Sequence, residues 1–129
     1  MPLTALNPNA LPPFVEAFYL KVRRDPLLGP IFAVIPDEAW PAHLATISDF
    51  WSSVLFRTGR YKGNPFGSHL GKGIEPTHFD RWLALFVQTA AERFGPEDAA
   101  LLADRAQRIA ESLKAGLFFR SSPGAAAAS

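Results

Sequence analysis

The chain contains no cysteine, which excludes disulfides, thiolate metal sites and a cysteine nucleophile. No apolar run approaches the roughly 18 residues of a membrane-spanning helix. The N-terminus has no basic region followed by an apolar stretch, so we predict no secretory signal. Charges are interspersed with a net value of +1, and no Lys/Arg run marks a nucleic-acid surface. We therefore expect a cytoplasmic protein with neither a membrane nor a nucleic acid as partner.

The motifs of several enzyme classes are also missing. We find no glycine-rich phosphate loop, no HExxH motif, no serine nucleophile elbow and no pair of catalytic carboxylates. The acidic residues lie mostly at predicted helix starts and on exposed faces. The candidates for chemistry are therefore the three histidines, two tyrosines and three tryptophans.

Large aromatic side chains are abundant for a chain of this length. Its 129 residues suit a single domain and include 11 Phe and 3 Trp. A domain of this size typically buries roughly two-thirds of its unfolded surface, which allows one substantial core. The aromatic side chains can pack on each other or on a flat apolar cofactor, and composition alone does not decide between the two.

Hydrophobic spacing predicts an all-α fold. Phe14, Phe18, Tyr19 and Val22 form a helical face after Pro12-Pro13, and the helix should end at Asp25-Pro26. Residues 27–35 are predicted to be a tight connector. Two later helices are expected over about 37–57 and 97–118, with a third between them whose N-cap is Thr77. Gly59 is the predicted left-handed cap of the 37–57 helix.

The domain is predicted to span residues 1–120. Residues 121–129 form a Ser/Pro/Gly/Ala tail without a packing pattern, which we expect to be disordered.

Two histidines stand out by their positions. His69 lies in the segment 60–75, which contains four glycines and a proline and separates two long helical patterns. His43 lies on a row with Ile47, Phe50 and Val54 at helical spacing, which predicts that it points along a buried face. One imidazole on each side of an aromatic-lined gap is an arrangement that can hold an iron porphyrin and control what binds its far face.

Each candidate also has an ordinary structural explanation. His69 can be a solvated loop residue, and His43 can be a core histidine bound to backbone. Tyr19 can be a satisfied boundary tyrosine, and Trp82 can be a core tryptophan. His78, in a predicted first helical turn, is expected at the surface. Trp40 and Trp51 are expected to pack in the core or at a helix edge.

Several segments taken together resemble the group III truncated haemoglobins. In chain order they are FYLKVRRDPLLGPIF at 18–32, WPAHL at 40–44, DFW at 49–51, YKGNP at 61–65 with His69, and HFDRWL at 78–83. The resemblance covers about 13–117, and it is specific because the motifs occur in the right order at suitable spacing.

The resemblance implies a two-over-two helical sandwich around haem b. It makes His69 the proximal iron ligand, and it makes Tyr19 and Trp82 distal hydrogen-bond donors. It puts His43 in a distal gate position, where the ring can swing between closed and open states. Other expected cofactor contacts are Phe32 on the porphyrin edge, Ile47 on the distal side, and Phe50, Tyr61, Lys72, Phe79 and Phe86. Arg60 and Lys62 join Lys72 as candidate propionate partners because they flank His69.

The resemblance implies a protein that binds dioxygen, carbon monoxide, nitric oxide, cyanide or peroxide, with slow dioxygen release. The alternative is a haem enzyme, a nitric oxide dioxygenase or a peroxidase-like catalyst, that uses the same pocket with an external reductase. A third class, a cofactor-free helical interaction module, predicts a colourless protein with a core that is complete without a ligand.

Overall fold

The computed structural model describes residues 5–59 and 74–115. Those two ranges contain helices and no strand, so the prediction of an all-α fold is confirmed. In chain order their α-helices are α1 (Leu11–Arg24), α2 (Gly29–Phe32), α3 (Trp40–Phe56), α4 (Pro76–Arg93) and α5 (Pro96–Lys114). Single 3-10 turns at Pro8–Ala10 and Asp37–Ala39 precede α1 and α3. None of the helices described is both long and apolar enough to cross a membrane.

The start of α1 is fixed by side-chain and proline effects. Asn7 caps the preceding 3-10 turn, because its Oδ1 accepts from the N–H groups of Asn9 at 2.9 Å and Ala10 at 3.1 Å. Pro12 and Pro13 then occupy the first turn of α1, where a helix does not use the N–H groups that proline lacks.

Asp25 ends α1 and organises the corner that follows. Its backbone is extended, with ψ 132°, as expected for a residue before proline. Its carboxylate accepts from the N–H groups of Leu27 and Leu28, both at 3.0 Å. The N–H of Gly29 bonds the Asp25 carbonyl at 2.8 Å. The chain folds so tightly here that a Cβ on Gly29 would lie 2.8 Å from the Arg23 carbonyl oxygen, so the corner requires glycine.

The core is built around α1. This helix contacts both α3 and α4, while α4 and α5, separated only by Phe94 and Gly95, pack against each other. Phe14 and Phe18 of α1 meet the ring of Phe86 edge-on, each with centroids 5.1 Å apart. All three rings are fully or almost fully buried, and each such burial stabilises the fold by about 1.5–3 kcal/mol. The predicted α1 face is therefore confirmed as the inner face.

Two predicted helix caps are wrong by two residues each. α3 ends at Phe56, and Arg57 is its left-handed cap with φ 55°, while Gly59 has the predicted positive φ of 73° but lies two residues beyond the cap. A contact of 2.8 Å between the hydroxyls of Ser52 and Thr58 fixes the chain against α3 just after this cap.

The N-cap of α4 is Glu75 rather than Thr77. Pro76 occupies the first helical position and keeps the residue before it extended, so the helix begins earlier than predicted. The N–H of Glu75 donates to Nδ1 of His78 at 2.8 Å, which gives this histidine a capping role.

Three sequence predictions fall outside the described residues. These are the glycine-rich connection at 60–73, the extension of the last helix to 118 and the tail at 121–129. The boundary of the domain at residue 120 therefore stays a prediction.

Candidate functional site

Two of the predicted distal residues are in direct contact. The indole Nε1 of Trp82, on α4, donates to the phenol oxygen of Tyr19, on α1, at 3.3 Å. Tyr19 is 8% exposed and belongs to the inner face of α1, whereas Trp82 is half-buried. Residues that are 63 positions apart in the chain are thus brought together where α1 and α4 cross.

The chemistry of this pair leaves one donor available. An indole is a donor only, so the Tyr19 oxygen must accept in the contact, and the phenol proton is not used by it. Burial raises the pKa of Tyr19 to about 12, although the Trp82 hydrogen bond opposes that rise. Tyr19 is therefore a neutral phenol at physiological pH, able to donate a hydrogen bond to a negatively charged acceptor.

Aromatic rings surround the Tyr19 hydroxyphenyl group. The ring of Phe32 on α2 lies 5.8 Å from it, that of Trp40 lies 6.2 Å away, and that of Phe18 lies 4.7 Å away, as centroid distances. The imidazole of His43 meets the Trp40 ring edge-on at 5.1 Å. The structure therefore gathers Tyr19, Trp82, Phe32 and His43 around one region.

His43 is held in an environment that favours its neutral form. Burial lowers the pKa of the imidazole below its usual value, because a desolvated cation is disfavoured. The side chain is half-buried rather than buried.

The face of α3 that carries His43 is half-buried, contrary to the prediction that it is buried. Ile47, Phe50 and Val54 are all partly exposed, and they pack against the core from its margin. The fully buried positions of α3 are Trp40, Ser48, Trp51 and Ser52. α3 packs against α1. The row of His43, Ile47, Phe50 and Val54 is therefore a partly covered, mainly apolar face of α3.

Phe86 and Phe79 are more buried than Phe32, Ile47 and Phe50, which were also predicted to contact a cofactor. Phe86 is 0% exposed and its ring stacks on Trp82 at 5.3 Å and on Trp51 at 5.0 Å. Phe79 is also buried. Phe86 thus supports the indole of Trp82 from behind, while direct contact of either phenylalanine with a cofactor stays a prediction.

Sequence reasoning overlooked Trp40 as a member of this region. The Trp40 ring lies close to the rings of Tyr19, Phe32 and His43. The guanidinium of Arg23 lies over the Trp40 ring, 4.5 Å from its centroid. In the described part of the chain, its Nε1 is a buried donor with no hydrogen-bond partner. The signal that was available is its position three residues before His43, on nearly the same helical face.

The ion pair between Asp25 and Arg81 is a second feature that spacing does not reveal. Arg81 Nε donates to Asp25 Oδ1 at 2.7 Å, across 56 positions of sequence. Burial alone would raise the pKa of Asp25, but the Leu28 N–H, Arg81 and the Leu27 N–H together hold it below its usual value.

The remaining predicted site residues lie outside the described ranges. They are His69, Tyr61 and Lys72, with the propionate candidates Arg60 and Lys62. Within 5–59 and 74–115, no group of three or more His, Asp or Glu side chains is placed to hold a metal ion.

A sequence relative and a solved structure that are similar to this chain belong to the same family. The chain is 35% identical over 122 residues to the group 3 truncated hemoglobin ctb of Campylobacter jejuni, and the alignment spans 92% of this chain and 96% of that protein. A crystal structure of a group III truncated hemoglobin from the same species is similar with a TM-score of 0.85 and 33% identity. That similarity covers 95% of this chain and 99% of the other. No protein-family model matches the sequence.

Proposed function

The chain belongs to the group III truncated haemoglobins, a family of haem-binding globins with the all-α fold described above, and from that premise we propose its ligand chemistry. The protein is a haem b protein that binds dioxygen and other small diatomic ligands at an iron held by His69. Tyr19 and Trp82 retain the ligand by hydrogen bonding, and release is slow.

One observation carries this proposal. The Trp82 indole donates to the Tyr19 oxygen at 3.3 Å, so the buried phenol keeps its own proton for another acceptor. When bound, haem supplies an iron with one open coordination position that takes up diatomic ligands and shifts negative charge onto them. The neutral phenol of Tyr19 would donate a hydrogen bond to that charge, and water would compete little for the donor because Tyr19 is buried.

His69 is the proposed iron ligand for reasons of sequence and family. The two other histidines are assigned elsewhere, since His78 caps α4 through Glu75 and His43 lies near Trp40 at the distal margin. A neutral imidazole is the axial ligand that globins use. The glycines around His69 allow a short turn to approach a flat cofactor closely.

The walls of the proposed site suit the porphyrin. Ile47, Phe50 and Val54 present a partly exposed apolar face on α3, and Phe32 extends it from α2. Apolar area removed from water by a cofactor on this face stabilises binding at about 25 cal/mol per Å². His43, neutral at the margin, acts as the gate between this space and the solvent.

The same free phenol proton also supports a second function. A donor that stabilises negative charge on bound dioxygen can polarise peroxide, or hold dioxygen for reaction with nitric oxide. Such a haem enzyme needs an external reductase, whereas the binding protein does not. Turnover of nitric oxide or peroxide with a chemical electron donor separates the two functions.

The test is an absorption spectrum of the purified protein in ferric, dithionite-reduced and carbonyl forms. We expect a strong Soret band that shifts on addition of carbon monoxide. The His69→Ala variant should lose or greatly alter this spectrum. The matched control is His78→Ala, which removes a capping histidine of α4 and should leave the spectrum unchanged. A colourless wild-type protein that takes up no added haemin would show that the proposal is wrong.

A further inference from the structure

A partly buried ion pair joins the corner after α1 to the first half of α4, outside the ligand site itself. Asp25 Oδ1 accepts from Arg81 Nε at 2.7 Å, and Oδ2 accepts from the N–H groups of Leu27 and Leu28 at 3.0 Å. The Asp25 side chain is only 3% exposed, whereas that of Arg81 is 47% exposed. A carboxylate bound by three donors is fixed in orientation, so it offers Arg81 one well-defined position.

The ion pair lies next in sequence to the distal donors. Arg81 directly precedes Trp82 on α4, and Asp25 is the residue at which the helix carrying Tyr19 ends. The contact between Arg81 and Asp25 therefore joins the same pair of helices as the contact between Trp82 and Tyr19. A shift of α4 along or away from α1 that breaks the first contact also changes the second.

The contact between Trp82 and Tyr19 is sensitive to such a shift. Its length of 3.3 Å exceeds the usual N–H···O distance of about 2.9–3.0 Å, and hydrogen bonds weaken steeply once they become longer or bent. A displacement of a few tenths of an ångström is therefore enough to lose it.

We propose that Arg81, through Asp25, is a positioning residue that holds the Trp82 indole within hydrogen-bonding distance of Tyr19. Arg81 thereby sets how firmly the distal pair retains a ligand, and this last consequence rests on the proposed function. The role of Arg81 in the hydrogen bond between the two distal side chains does not depend on the proposed function. Arg81 itself touches neither ligand nor cofactor in this proposal.

The first test is the dissociation rate of dioxygen in the Arg81→Ala variant, in otherwise wild-type protein and in a Trp82→Phe background. We expect a rise of about threefold to tenfold in the first case, the range for loss of one hydrogen bond. We expect no further rise in the Trp82→Phe background, because Arg81 acts through that indole. Arg81→Lys keeps the charge, so its dissociation rate should lie between those of the wild type and Arg81→Ala.

The matched control is Lys21→Ala. Among the residues that the structure describes, Lys21 forms another ion pair between α1 and α4, with Glu92, and both partners are substantially exposed. Its removal should leave the dissociation rate unchanged. Equal effects of Arg81→Ala and Lys21→Ala, or an effect of Arg81→Ala that persists in the Trp82→Phe background, would mean that Arg81 acts only on general stability, and the proposal would be overturned.

A second readout does not depend on ligand binding. The indole N–H resonance of Trp82, assigned by its absence in Trp82→Phe, reports the hydrogen bond to Tyr19. In Arg81→Ala it should move towards the position seen in Tyr19→Phe. If the wild-type protein forms no carbonyl complex, the proposed function fails while this resonance still tests the role of Arg81. An unmoved resonance in Arg81→Ala overturns the inference whatever the ligand data show.

Discussion

Replacement of Tyr19 and Trp82 by phenylalanine, singly and together, tests how the distal pair retains dioxygen. The Trp82 donor is directed at the Tyr19 oxygen at 3.3 Å, and only the phenol proton is left for a ligand. The two side chains should therefore act in series, with Tyr19 bonding the ligand and Trp82 supporting Tyr19.

The magnitudes follow from that arrangement. A hydrogen bond to a charged acceptor is worth about 1.5–3 kcal/mol, and about 1.4 kcal/mol corresponds to a factor of ten in rate. Tyr19→Phe should therefore speed dioxygen release by about ten- to a hundredfold. Trp82→Phe removes a bond between neutral groups worth about 0.5–1.5 kcal/mol, so its effect should be about tenfold or less. The double variant should resemble Tyr19→Phe alone, because Trp82 has nothing left to support.

The assay is stopped-flow mixing of the dioxygen complex with excess carbon monoxide, with dissociation followed by absorbance. Val87→Ala serves as a control, since Val87 is an exposed residue of α4. Strictly additive effects of the two substitutions would refute the arrangement in series, because they would mean that each side chain reaches the ligand independently. Unchanged release in both single variants would remove the pair from ligand retention altogether.

Three further predictions concern the ionisable side chains of Tyr19, His43 and Asp25. The free energy of unfolding should fall by about 2 kcal/mol more in the wild type than in Tyr19→Phe between pH 10 and pH 12, measured by urea denaturation. The reason is that an unfolded tyrosine ionises near pH 10 while folded Tyr19 keeps its proton to about 12, and equal slopes in both proteins would contradict it. Carbon monoxide association, followed by flash photolysis, should accelerate as the pH falls below about 6.5, because His43 has a lowered pKa and its cation prefers water. The rate in His43→Leu should not change with pH, and an acid acceleration that persists there would exclude His43 as the gate. Asp25→Asn should lower the free energy of unfolding by about 2–3 kcal/mol at pH 7, against less than about 1 kcal/mol for the exposed Asp37→Asn. Since the pKa of Asp25 is lowered on folding, its stabilisation is present above the usual carboxyl range and is lost as the pH falls through the folded pKa, so the two proteins should converge in acid.

The sequence was sufficient for those parts of the fold that depend on periodicity. The inner face of α1 follows directly from the spacing of Phe14, Phe18 and Val22, because a helix repeats its face every three to four residues. The aromatic character of the core and the inward position of Tyr19 follow from the same pattern.

Helix ends and exposure were harder to predict, because they depend on local backbone angles and on neighbours. Arg57 takes a left-handed conformation that sequence rules assign to Gly59, and Glu75 caps α4 because Pro76 determines where that helix starts. The row of Ile47 and Phe50 is apolar in sequence, yet these residues are half-buried while Ser48 and Ser52 are buried, a distribution that depends on how α3 packs in the folded chain.

The functional site likewise combines features that the sequence predicts with features that only the folded structure reveals. Family resemblance brought Tyr19, Trp82, Phe32 and His43 together, and the structure places these four in one region. The hydrogen bond between Trp82 and Tyr19 depends on how α1 and α4 pack, so spacing along the sequence does not predict it. The pairing of Asp25 with Arg81 likewise joins residues far apart in the chain, so it becomes visible only once α1 and α4 have packed.

The most direct measurement of the central claim is chemical rescue at His69. The His69→Gly variant should be expressed, reduced and treated with carbon monoxide, with and without added imidazole. If His69 holds the iron, the spectrum of the variant differs from that of the wild type, and imidazole restores the wild-type spectrum by replacing the missing side chain. An unaltered spectrum in His69→Gly, with no response to imidazole, would contradict the assignment of His69 as the iron ligand.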